Sequence, residues 1–118
     1  MAVKEFTNLS DFEINREVAL ALGLTIEVDE RFEKERIGDS LMYYDDRRVL
    51  HTLYEDYCDN HSLSYPIILE NKISVYWNGG VDDTWFARTV HTPRVEHENP
   101  LRAALITFLM LNELEQTN

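Results

Sequence analysis

Apolar positions along the 118-residue chain recur with two periods, and the switches between them divide it into elements. Phe12, Ile14, Val18, Ala19 and Leu22 recur at helical spacing and give one apolar face. Ser10 or Asp11 caps this predicted helix, Glu13 is placed to reach back to the cap, and Gly23 stands where a left-handed stop is expected. Leu24–Val28 alternates weakly and predicts a short strand. Residues 29–39, DERFEKERIGD, are charged almost throughout and predict a solvated loop. Ser40–Tyr44 and Val49–Tyr54 carry Tyr, Val or Thr at strand-like density on either side of the turn DDRR.

The second half opens with a polar connection, Glu55–Ser64. Pro66 fits the first turn of a short helix, PIILENK, with Ser64 as its cap, because the missing proline N–H has no helical partner there anyway. Ile67, Ile68 and Leu69 suit a strand as well. The clearest hairpin is ISVYWNGGVDDTWFARTV: Ile73, Val75 and Trp77 alternate on one side, answered by Trp85, Ala87 and Thr89 on the returning strand. Asn78-Gly79-Gly80 is expected to supply the positive φ angles of a tight turn. HTPRVEHE reads as a loop. Asn99 then caps, and Pro100 opens, a last helix whose apolar residues run nearly all round it, so it is expected to be buried on more than one side. The sum is a single α+β domain over residues 1–118. A small antiparallel sheet with a hairpin packs against N-terminal, short central and C-terminal helices.

Charge changes the picture more than composition does. Hydrophobic residues make up 44% of the chain, an ordinary globular value, but 22 acids face 11 bases and leave a net charge of −11. That balance argues against direct DNA binding, which needs a basic footprint, and against docking on an anionic membrane. The acids concentrate in 29–46 and 55–59. One cysteine forms no intramolecular disulfide, and the longest apolar stretch, Ala103–Leu111, is too short to span a bilayer. The opening MAVKEFTNLSDFE has no apolar run after its lysine and does not read as a signal peptide.

DYCDNHSLSYPIILENKISV, the Trp-containing hairpin after it, and NPLRAALITFLMLNE together resemble the NinX-like proteins of tailed phages and prophages, a family without an assigned function. The family's pattern runs Asp-Tyr-Cys/Ala-Asn-Asn, an apolar or aromatic residue before Pro-Ile-Ile, then Glu-Asn-Lys/Arg-Ile-Ser. It closes on an Asn-Pro-Leu-Arg-Ala-Ala-Met helix. The matching residues include Asp56, Tyr57, Cys58, Asn60, Pro66, Glu70, Asn71, Asn99, Pro100 and Arg102, and INREVALALG fits the family's first helix. Asp59 replaces the first Asn of the usual pair, and His61 stands where an apolar or aromatic residue is expected. The resemblance implies a phage or prophage accessory protein in the bacterial host cytoplasm. It implies no catalytic residue and no ligand.

Side chains that can carry chemistry are sparse. Cys58 and His61 sit three apart in a polar loop, the spacing of a thiolate–imidazole pair, yet no orienting group is fixed beside them. The bland alternative is a cysteine packed as a small hydrophobe. His91 and His97 with Glu96 and Glu98 lack the short ligand spacings of a zinc site. Asp56, Asp59 and Asn60 resemble part of a calcium loop without its glycine or terminal glutamate. Asp45/Asp46 and Asp82/Asp83 are carboxylate pairs at turns, where solvation is expected to keep them ordinary. No catalytic residue, metal ligand or cofactor is assigned.

The expectation is therefore a non-catalytic accessory that binds a host protein with a basic face. Asp45, Asp46, Asp56, Asp59, Trp77 and Trp85 are the candidate contact residues. In its sharpest form the acidic surface offers carboxylates where a duplex offers phosphates, as an anti-defence inhibitor would. The alternatives are an enzyme on a small metabolite, a homo-oligomeric module or dimer using the apolar last helix, and an acidity that serves only solubility.

Overall fold

The computed structural model describes residues 3–24, 26–29, 34–37, 40–44, 47, 50–52, 56–80 and 82–117. A short helix α1 (Val3–Thr7) precedes α2 (Asp11–Ala21). Ser10 and Glu13 close the expected capping box on α2: the Glu13 N–H donates to Ser10 Oγ at 3.1 Å, and the Ser10 N–H donates to Glu13 Oε1 at 3.3 Å. At the other end Gly23 takes φ 85°, while the Leu24 N–H reaches the Ala19 carbonyl at 3.0 Å and the Gly23 N–H that of Leu20. Those paired bonds are the left-handed stop the glycine foretold.

Four strands follow as an antiparallel meander: β1 (Ile26–Asp29), β2 (Lys34–Ile37), β3 (Ser40–Tyr44) and β4 (Leu50–Thr52). β2 corrects the reading of 29–39 as a loop. Its backbone pairs with β1 on one side and β3 on the other, with Glu27 opposite Arg36 and Arg36 opposite Leu41. Ladder bonds join main chain to main chain, so a charged strand forms where both neighbours are available.

α3 (His61–Glu70) also starts earlier than expected. Asn60, not Ser64, is its cap, accepting from the Ser62 N–H at 3.0 Å. Pro66 lies inside the helix, where it withholds a donor from the carbonyl of Ser62, an exposed residue that water can serve. Ser64, buried in the first turns, instead donates its hydroxyl to the Tyr57 carbonyl. The helix ends on Lys72 at φ 54°, a non-glycine residue in the left-handed position, with Ile73 N–H returning to the Ile68 carbonyl at 3.1 Å.

The second sheet contains β5 (Ser74–Trp77), β6 (Trp85–Arg88) and β7 (Val95–His97), all antiparallel. The expected register holds: Val75 faces Ala87 and Trp77 faces Trp85. β7 is a strand where a loop was expected, pairing Val95 with Ala87. The turn differs in mechanism as well. Neither Gly79 nor Gly80 has a positive φ. The side chain of Asn78 organises the connection instead, donating to Thr84 Oγ1 at 3.1 Å and accepting from the Gly80 N–H at 3.2 Å.

α4 (Pro100–Thr117) runs through the centre. Every residue from Arg102 to Met110 is buried, because β5, β6 and β7 cover one side of the helix and α1, α2 and α3 cover the rest. The apolar circumference that suggested a second copy is thus occupied within the chain. Val75, Ala87 and Val95 form the row facing α4. On the outer face Tyr76 leans on Phe86 at 5.5 Å, with the Arg94 guanidinium 4.0 Å above the Phe86 ring.

Candidate functional site

Two regions collect the residues singled out by sequence: a polar junction inside the molecule and an apolar groove beside it. The junction forms where α2, α3 and α4 meet. Asn15, buried on α2, uses both ends of its amide: Nδ2 donates to Asp56 Oδ1 at 2.9 Å, and Oδ1 accepts the Cys58 N–H at 3.0 Å. Asn99 caps α4 by accepting from the Leu101 N–H at 2.9 Å, and its Nδ2 donates to the Cys58 carbonyl at 2.7 Å. One turn, Asp56–Asn60, is therefore pinned to helices that lie far from it in sequence.

Arg102 completes the junction from below. It is the one basic residue in the apolar run of α4, and its side chain is 7% exposed. Nη1 donates to Asp11 Oδ1 at 2.5 Å, and Nη2 donates to the Thr7 carbonyl at 3.2 Å and to that of Leu9. The guanidinium thus ties the α1–α2 connection to the central helix. Its planar fork suits several acceptors at once, as an ammonium would not.

This chemistry is structural in form. Cys58 is fully buried, and burial first, with the Asp11 carboxylate next, pushes its thiol from an ordinary value of 9.0 up to about 12. A thiol held so firmly protonated is a poor nucleophile. His61 is not its partner: the imidazole is exposed and stacks on Tyr65 at 4.9 Å. His97 accepts the Asn99 N–H on Nδ1 at 2.9 Å, and desolvation, helped by the Arg102 charge, holds its pKa below 6.5. Among the described residues no three His, Cys, Asp or Glu side chains converge on a point a metal could occupy. Among them, too, no helix is long and apolar enough to cross a membrane.

The groove, of about 350 Å³, lies between α3, the β5–β6 hairpin and the start of α4. His61, Tyr65 and Ile68 form the α3 wall. Ile73, Val75 and Trp85 form the sheet wall, and Pro100 and Leu101 close the end. Trp85 is half-buried and meets Trp77 edge-on at 5.3 Å, and Trp77 is itself 46% exposed.

The six candidate contact residues fall into different settings. Asp45 and Asp46 lie outside the described residues. Asp56 is half-buried and accepts from Asn15, so it serves the junction rather than standing free as a surface charge. Asp59 is exposed, one residue before the α3 cap, where the helix dipole favours a carboxylate. Trp77 and Trp85 stand together at the hairpin's turn end. Sequence reasoning passed over Asn15, Asn99's second bond and Arg102. An arginine inside an otherwise apolar helix was the available signal, since a buried charge demands a partner.

The family model described as "Bacteriophage P22, NinX" matches residues 5–112, which include α2, the Asp56–Asn60 turn, the hairpin and most of α4. The chain belongs to this family. No curated protein and no solved structure shows a significant match.

Proposed function

For this NinX-family chain we propose a non-catalytic role: a phage or prophage accessory in the bacterial host cytoplasm that acts by binding a host protein. The observation that carries the reading is the division between inside and outside. The polar groups with chemical potential, Cys58, Asn15, Asn99 and Arg102, are engaged in holding three helices together. Aromatic rings and carboxylates are among the groups that face solvent: Trp77 and Tyr65, with Asp59, Asp82, Asp83 and Glu98 exposed nearby in sequence. Exposed carboxylates around apolar rings suit recognition of a basic protein face and electrostatic steering toward it. An anti-defence inhibitor of a host nucleic-acid-handling protein is the specific form we favour, because such proteins present basic clefts.

The test is capture. Immobilised chain and an immobilised control protein of equal net charge are exposed to host lysate at low and high salt, and bound proteins are identified by mass spectrometry. The expected result is a small set of host proteins retained by the chain and not by the control, and released as salt rises. Equal retention by both would contradict the proposal.

A further inference from the structure

We infer that the groove between α3, the β5–β6 hairpin and the α4 start receives a segment of a partner protein built as a large apolar anchor flanked by Lys or Arg. The inference rests on the binding role proposed above and names the surface and the chemistry it takes.

Two features of the groove set that chemistry. Its walls are apolar and aromatic, with Tyr65, Ile68, Trp85 and Leu101 lining about 350 Å³, a volume that takes one or two side chains. Exposed acids flank those walls along the chain. Asp59 precedes His61 on the α3 wall, Asp82 and Asp83 precede Trp85 on the hairpin wall, and Glu98 precedes Leu101 at the end wall, all four exposed. Asp59 and Glu98 also complement helix N-termini, but Asp82 and Asp83 serve no helix end. Among the described residues the bases next to a wall residue are Lys72, beside Ile73 at the end of β5 away from the tryptophans, and Arg102, beside Leu101, whose guanidinium is turned into the junction and held by Asp11. Arg88 and Arg94 belong to the other face of the sheet, where Arg94 covers Phe86.

An apolar side chain entering this groove leaves water, and the backbone on either side of it passes the carboxylates. Cationic flanks are then attracted and acidic flanks repelled, so charge selects the partner while the groove anchors it. The His61–Tyr65 stack and the exposed Trp77 ring add faces on which an arginine can lie. A second copy of this chain is a poor occupant, because each copy carries a net charge of −11.

Three labelled synthetic peptides test the inference: one with Leu and Phe flanked by Lys and Arg, one with the same apolar pair flanked by Glu, and one with the basic flanks around Ser. The first is expected to bind saturably and at least about tenfold more tightly than either other peptide, and Tyr65→Ala is expected to weaken it while Leu69→Ala, on the same helix outside the groove, does not. Amide NMR shifts on the unaltered chain locate the site independently of any variant. They are expected at 61–68, 85 and 101. Equal binding of the three peptides, no binding of the first, shifts confined to other surfaces, or a dimer dissociated by the peptide would each overturn the inference. If lysate capture succeeds and the peptide test fails, the groove is wrong and the binding role stands. If capture fails, the role itself is wrong.

Discussion

Arg102→Met removes the guanidinium from the centre of the fold while keeping a long, flexible apolar stem in its place. Replacing both members of a buried ion pair by apolar residues is often neutral, but here only one member leaves. The Leu9 and Thr7 carbonyls each lose a charge-assisted donor, and Asp11 loses its partner. The two costs differ in size. Asp11 is 60% exposed on its side chain, so water takes over its solvation and that part of the loss is small. The carbonyls are on half-buried residues of the α1–α2 connection, and the loss of a charge-assisted hydrogen bond there costs about 1–3 kcal/mol. The variant is therefore expected to lose about 2–4 kcal/mol, a large part of the ~5–15 kcal/mol a domain possesses. In urea, followed by far-ultraviolet circular dichroism, the midpoint should fall by roughly 1–3 M with an unchanged slope. Asp11→Asn should lose under about 1 kcal/mol, and Arg102→Lys should fall between the two because an ammonium cannot span the same acceptors. An Arg102→Met protein as stable as the parent, or an Asp11→Asn protein equally damaged, would refute the reasoning.

Asn15→Ala should cost about 1–3 kcal/mol by leaving the buried Cys58 N–H without its acceptor, and Asn15→Asp should fare no better, since its carboxylate meets Asp56; urea midpoints check both. Cys58 should resist thiol reagents at neutral pH until the chain unfolds. Its raised pKa also predicts an alkaline loss of stability: below pH 9.0 both states keep the proton, and from there towards about 12 only the folded state does, so stability falls as pH rises. Cys58→Ala should flatten that decline relative to the parent, and an unaltered decline would count against the assignment. Lys72→Gly should stabilise by roughly 0.5–1 kcal/mol by relieving the left-handed backbone at φ 54°, read as a raised melting temperature.

How far the sequence could be read depended on how local the signal was. The Ser10–Glu13 capping box, the Gly23 stop and the Asn99-Pro100 start are each settled within a few residues, and each appears as expected. The hairpin register was legible because alternating bulky residues leave one pairing that keeps Val75 and Ala87 on the α4 side. β2 and β7 were not: Lys34–Ile37 has no apolar alternation, and Val95–His97 is too short to show any. Pro66 drew the expected α3 cap to Ser64, four residues downstream of its true place at Asn60, because helix N-termini are where proline is usually tolerated. The polar junction escaped for a different reason. Asn15 meets Asp56 across 41 residues and Arg102 meets Asp11 across 91, and no periodicity reports a hydrogen bond between residues so far apart. The groove likewise exists only once α3 and the hairpin are brought beside Leu101.

The role of the exposed acids is tested most directly by changing only those that no hydrogen bond of the junction uses. Asp59→Asn, Asp82→Asn and Asp83→Asn are combined in one protein, leaving Asp56 in place, and its capture of host protein is compared with the parent's at low salt. The expected result is a melting temperature within a few degrees of the parent's, because exposed charges add little stability and Asp59 alone of the three complements a helix start, together with a several-fold loss of captured partner. Full capture by the triple variant would contradict it and reduce the acidity to a means of staying in solution.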